Sequence, residues 1–155
     1  MASRFRRRLV TALLVLYAGV VGVITLTPEM PGTGLVDRFV SRVLRSLHAR
    51  GVLPGIDYLT VEFIGNILMF VPLGVLVALL VPRRAWWTLL LAGTVFSGFI
   101  ELFQALFLPD RYPEWRDLLS NSTGFLIGAA IAVSLRMIVN HRDRLVQHDR
   151  ERQLR

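Results

Sequence analysis

An all-α integral membrane protein, built as a bundle of four transmembrane helices, is predicted by three observations. The 155-residue chain is 54% hydrophobic, above the roughly 45–50% usual for a soluble domain. The excess is gathered into four runs, 9–27, 59–81, 86–108 and 118–139, each close to the ~20 residues a helix needs to cross ~30 Å of hydrocarbon. The runs are also too long and too uniformly apolar for the alternating ~10-residue strands of a membrane barrel.

Residues 1–8 form a basic N-terminal segment ahead of the first run, "LVTALLVLYAGVVGVITLT". A leader peptide would also place arginines before an apolar stretch. This stretch exceeds the usual apolar core of roughly 7–15 residues and no A-x-A-like site follows it, so it reads as an uncleaved first span.

The arginines set the expected orientation. All eighteen basic residues are Arg. Twelve of them, with three acids, fall on one side of the predicted membrane (before span one, between spans two and three, and after span four), a net charge of +9. The other side carries six Arg and six acids. The positive-inside rule then puts both termini in the cytoplasm, with residues 9–139 as the membrane domain and 140–155 as a basic cytoplasmic tail. That topology accounts for the net charge of +7, so nucleic acid is not an expected partner. No cysteine is present, which removes thiol chemistry and Cys-ligated metal. No spacing of His, Asp or Glu calls for a metal, and no cofactor is expected.

Between spans one and two, the turn-rich "TPEMPGTG" precedes an amphipathic helix over about 35–50. Leu35, Phe39, Val43 and Leu47 recur every four residues, and Arg38, Arg42 and Arg45 form the opposite stripe. Such a helix is too polar to span and is expected to lie on the outer leaflet, its arginines against lipid phosphates. Gly51 and Pro54 end it.

The polar residues inside the spans converge. Asn66 lies seven residues into span two and Glu101 seven residues before the end of span three, so both sit roughly 10 Å below the outer surface at 1.5 Å per residue. Helical spacing puts Glu62 and Asn66 on one face of span two, Ser97, Glu101 and Gln104 on one face of span three, and Asp117, Asn121, Gly124 and Gly128 on one face of span four. Facing lipid, an ionised Glu101 would cost on the order of 3 kcal/mol or more, so these faces point inward. Arg111 or Arg116, in the loop before span four, is the expected balance for Glu101, with Asn66 and Asn121 as amide donors. Glu114 and Thr123 complete the expected cluster. Pro72 kinks span two and frees a carbonyl near Leu68. Gly124-x-x-x-Gly128 allows a helix backbone to approach closely, within the bundle or from a second copy of the chain.

Three stretches, "NILMFVPLG" at 66–74, "ELFQ" at 101–104 and "RYPEWRDLLSNSTGFLIG" at 111–128, resemble the VanZ-like family of small multi-span proteins. The ordered set matches an N-x-x-x-F-x-P-x-G helix (Asn66, Phe70, Pro72, Gly74) and an E-x-x-Q helix (Glu101, Gln104). An Arg followed by acids and D-x-x-x-N-x-x-G completes it (Arg111, Glu114, Asp117, Asn121, Gly124). Glu114 stands where the pattern has Asp. The resemblance spans roughly residues 60–130 and implies a link to glycopeptide (teicoplanin) tolerance.

Three functions fit this pattern. The first is a non-catalytic envelope protein whose outward polar pocket binds or shields a lipid-linked cell-wall precursor headgroup or an amphiphilic drug. The second is an enzyme acting on a lipid-linked substrate, with Glu101 as general acid or base and Arg111 and Asn121 orienting it. The third is a small transporter subunit, made possible by oligomerisation through Gly124 and Gly128. Membrane lipids are partners in all three.

Overall fold

The computed structural model describes residues 2–26, 34–52, 54–108 and 114–153. Among these residues the chain is all helical: α1 Ala2–Leu26, α2 Leu35–His48, α3 Tyr58–Leu80, a short 3-10 turn Arg83–Ala85, α4 Thr88–Phe107 and α5 Trp115–Gln153. Four stretches are long and apolar enough to cross a membrane, Arg4–Leu26, Tyr58–Leu80, Thr88–Phe107 and Trp115–Arg142. The four predicted spans are thus found, with ends moved by a few residues. Thr27, the expected end of the first, lies outside the described residues.

Large apolar side chains point away from the protein on every span. Leu16, Leu68, Val95 and Ile138 are each between 64% and 68% exposed. In water such a surface would be untenable over so much of a small protein, whereas lipid covers it without penalty.

Pairs of residues fix how the helices run. Gly124 of α5 lies against Ile67 of α3 and Gly128 against Val71, so both numbers rise together and α3 and α5 are parallel. Gly93 of α4 meets Phe125 of α5 while Gly98 comes near Leu118, so α4 runs the opposite way. Tyr17 of α1 reaches Met69 of α3, and Gln104 of α4 reaches Thr25 of α1. Leu26, Tyr58, Phe107 and Trp115 therefore share one end of the bundle. The arginines of the N-terminus, of the α3–α4 connection and of the second half of α5 share the other.

The α3–α5 seam holds the bundle together. A Cβ at Gly74 would lie 2.0 Å from the Phe125 carbonyl oxygen, one at Gly124 2.2 Å from that of Ile67, and one at Gly128 2.0 Å from that of Val71. Each helix thus presses its backbone onto a glycine of the other, the close approach that small residues permit in lipid. The predicted close approach through Gly124 and Gly128 is made inside the chain. Phe125 is 1% exposed, its ring over Gly93 and its carbonyl against Gly74, and it joins Phe70, Leu73, Ile100 and Val21 in one apolar core.

Helix ends follow local chemistry. Asp57 caps α3 by accepting from the Thr60 amide at 2.8 Å and the Thr60 hydroxyl at 2.5 Å. These two bonds, hydroxyl first, hold the Asp57 carboxyl below its ordinary range. Gly51, at φ +69°, ends α2, with the Val52 amide donating to Leu47 and the Gly51 amide to His48, as a left-handed C-cap requires. On α2 Leu44 is buried and Arg38, Arg42 and Arg45 are exposed. Phe39 also stays open, at 66%, so α2 keeps an apolar stripe that the bundle does not cover. At the other end, the fourth span and the tail are one continuous helix of 39 residues, about 58 Å at 1.5 Å per residue.

Candidate functional site

The first turn of α5 is where three spans deliver polar groups. From α3, the Asn66 side-chain amide donates to the Asp117 carboxylate at 2.9 Å. From α4, the Glu101 carboxylate accepts the Glu114 backbone N–H at 3.2 Å. Glu114 immediately precedes α5, so Glu101 sits at a helix N-terminus, whose unpaired amides and dipole favour negative charge. Asp117 lies in the first turn of the same helix. Two carboxylates from different parts of the sequence thus share the positive end of one helix.

Glu101 is 9% exposed, Gln104 4%, Asn121 3% and Ser97 0%. The structure brings Asn66 to Asp117 and Glu101 to the residue ahead of α5, and buries Asn121 one turn further along α5. Of the two arginines expected to balance Glu101, Arg116 is the one the structure describes. Arg116 is turned to α3, where it donates to the Leu59 carbonyl at 3.5 Å and its guanidinium lies 6.0 Å from the Phe63 ring centre. There it also helps to lower the Asp57 pKa. Arg111 lies outside the described residues. The helix start of α5 is therefore part of what holds Glu101.

Gln104 serves the bundle rather than the cluster. Its side-chain amide donates 2.8 Å to the Thr25 carbonyl, in the last turn of α1, where helix carbonyls lack intrahelical donors. Sequence reading missed Thr25 and Tyr17. The signal was present, because Tyr17, Val21 and Thr25 recur every four residues and Val21 is fully buried. The Tyr17 hydroxyl donates 2.8 Å to the Met69 carbonyl, one residue beyond the carbonyl that Pro72 frees. The bond ties α1 to α3 in the turn before Pro72.

At the surface the cluster opens into a cleft lined by Leu59, Glu62, Phe63, Glu114, Arg116 and Asp117. Its free volume of about 10 Å³ is on the order of one water. Behind it, Ser97 Oγ, Asn121 Oδ1 and Ser122 Oγ are buried without a hydrogen-bond partner among the described residues, while Ser120 Oγ donates to the Asp117 carbonyl at 3.1 Å. Thr123 is half-buried on α5. No three His, Asp or Glu side chains gather as a metal site would require among the described residues.

A family model described as VanZ/LLP1 matches residues 14–138. Comparison with curated proteins and with solved structures returned no match.

Proposed function

The chain belongs to the VanZ/LLP1 family, and from that membership we propose that this multi-pass membrane protein binds the headgroup of an amphiphilic ligand at its polar end. The VanZ family is associated with teicoplanin resistance, and a glycopeptide of that kind is the ligand class the reading names first. The positive-inside rule supports an outward-facing polar end, with both termini at the cytoplasmic side.

One observation carries the reading. Glu62, Glu114 and Asp117 line the mouth against Arg116, with the Glu101 carboxylate directly behind at the start of α5. Among the described residues carboxylates outnumber cations there, so amine and amide donors are favoured over a bare phosphate. The buried Asn121 oxygen, without a partner among the described residues, is a further acceptor, and leaving such a group unmatched costs about 1–3 kcal/mol. Because the cleft has room for about one water, a headgroup engages the mouth and displaces that water, or enters as Arg116 swings off Phe63. A lipid-linked headgroup would use the same donors-to-carboxylate chemistry through its sugars or amides.

The test is binding of labelled teicoplanin to the full chain in nanodiscs. Saturable binding is expected, weakened about tenfold or more by Asp117→Asn or Asn66→Ala, since loss of one hydrogen bond to a charged group costs about 1.5–3 kcal/mol. Binding that never saturates and is unchanged in both variants would sink the proposal. In a glycopeptide-challenged host, replacing Glu101, Asn66, Arg111 and Asp117 one at a time is expected to reduce tolerance.

The buried hydroxyls of Ser97 and Ser122, without a partner among the described residues, favour a second reading, a membrane enzyme with Glu101 as general acid or base. Glu101→Gln separates the two. Turnover lost with binding spared marks the enzyme, and binding changed without any turnover in the parent marks the binding protein.

A further inference from the structure

The opposite end of the bundle holds a larger space that the polar cluster does not use. The last turn of α3, the α3–α4 connection and one face of α5 enclose a groove of about 500 Å³. That is within the roughly 300–1,000 Å³ typical of small-molecule sites. Its floor is apolar, made by Ala78, Val81, Leu89, Val133 and Met137. Its rim is Arg136, Asn140, His141 and Arg144, with Trp86 alongside, and no acidic residue lines it among the described residues.

We propose that this groove binds one anionic glycerophospholipid of the leaflet at the basic end, an acyl chain on the floor and the phosphate between His141 and Arg144. The proposal is independent of the ligand at the polar end. Two rim residues are already committed and make the frame. Arg136 donates to the Val81 carbonyl at 3.1 Å and to the Leu79 carbonyl, closing the last turn of α3, and Asn140 donates to the Arg136 carbonyl. His141 and Arg144 follow on the same face of α5 and are exposed, so their donors face outward at the groove's edge. Trp86 is 57% exposed, as an aromatic side chain at the headgroup level is.

The occupant follows from both halves of the lining. A free phosphate would leave five apolar side chains unfilled. A zwitterionic lipid would fill the floor but gain less from a rim that carries arginines and, among the described residues, no carboxylate. An anionic lipid satisfies both, and each arginine near a membrane surface favours it by a factor of about five.

The experiment uses the full chain carrying Trp87→Phe and Trp115→Phe, which leaves Trp86 as its single tryptophan. It is placed in phosphatidylcholine nanodiscs doped with brominated phosphatidylglycerol or, separately, with brominated phosphatidylcholine. Trp86 fluorescence is expected to be quenched at lower mole fraction by the anionic lipid. Arg144→Gln is expected to raise the required fraction about fivefold, while Arg6→Gln, which removes a charge from the same end outside the groove, leaves it unchanged. Equal quenching by the two lipids, or equal effects of the two arginine variants, would show only diffuse enrichment and overturn the proposal.

Discussion

At the polar end of the bundle, α3 and α5 are joined by the Asn66–Asp117 bond and by Arg116 on Leu59, and the cleft between them leaves about 10 Å³ free. At the basic end the same two helices are joined by Arg136 on the carbonyls of Val81 and Leu79, and beside that joint lies a groove of about 500 Å³. The difference comes from length. The two helices start together, so short polar side chains fill the gap between their first turns. α3 stops at Leu80 while α5 continues to Gln153, so α5 presents a face that nothing from α3 covers. A tight hydrogen-bonded end and an open basic end follow from one pair of parallel helices of unequal length.

The largest effect is expected where both ends depend on the same contact. Gly128→Leu would force α3 and α5 apart, since even a Cβ would lie 2.0 Å from the Val71 oxygen. Loss of the monodisperse folded species on size exclusion is expected, and Gly128→Ala should cost about 1–3 kcal/mol in a reversible unfolding assay. A fully stable Gly128→Leu protein would refute the seam as the common support.

Next, Glu101→Ala should loosen the polar end alone. It leaves the Glu114 amide without its acceptor, at about 1–3 kcal/mol, and hydrogen exchange at the start of α5 should accelerate. Glu101→Gln retains an acceptor and should cost less. The counterpart at the basic end is Arg136→Ala, expected to cost about 1 kcal/mol and to speed exchange in the last turn of α3 without changing the start of α5. If either variant loosened both ends equally, the two ends would be one cooperative unit.

Smaller still is the coupling of Asn66 with Asp117. A double-mutant cycle to alanine should give about 0.6 kcal/mol, and up to about 1.7. The smallest effect belongs to Asp57, outside the spans. Its carboxyl is held below the ordinary 3.8 by Thr60, so its contribution is complete above that value and is lost as the pH falls through the lowered folded value. The thermal midpoint difference between the parent and Asp57→Asn should therefore be constant near neutrality and change only under acid conditions.

Much of the site was legible because depth in a membrane is a coordinate. At 1.5 Å per residue, counting from the ends of apolar runs placed Asn66 and Glu101 at one level, with Asp117 just outside the same end of span four, before any contact was known. The partners were less legible. Counting gives depth, while rotation about each helix decides which neighbour a side chain meets. Gln104 shares a face with Glu101, yet it is spent on the last turn of α1. Arg116 neighbours the cluster in sequence, yet it turns to Phe63 and Leu59.

The sequence by itself determined that the chain is a four-span helical membrane protein, where its spans lie, and that their polar residues converge at one end. Hydrophobic length and charge placement are local properties, and lipid forces every backbone group into a helix. Only the tertiary structure decided that Gly124 and Gly128 meet the backbone of α3, and that the amide ahead of α5 holds Glu101. It also decided that the unequal ends of α3 and α5 leave a groove at the basic end. These outcomes depend on which helix faces meet, and contact between backbones and short side chains has no period along the chain from which it could be read.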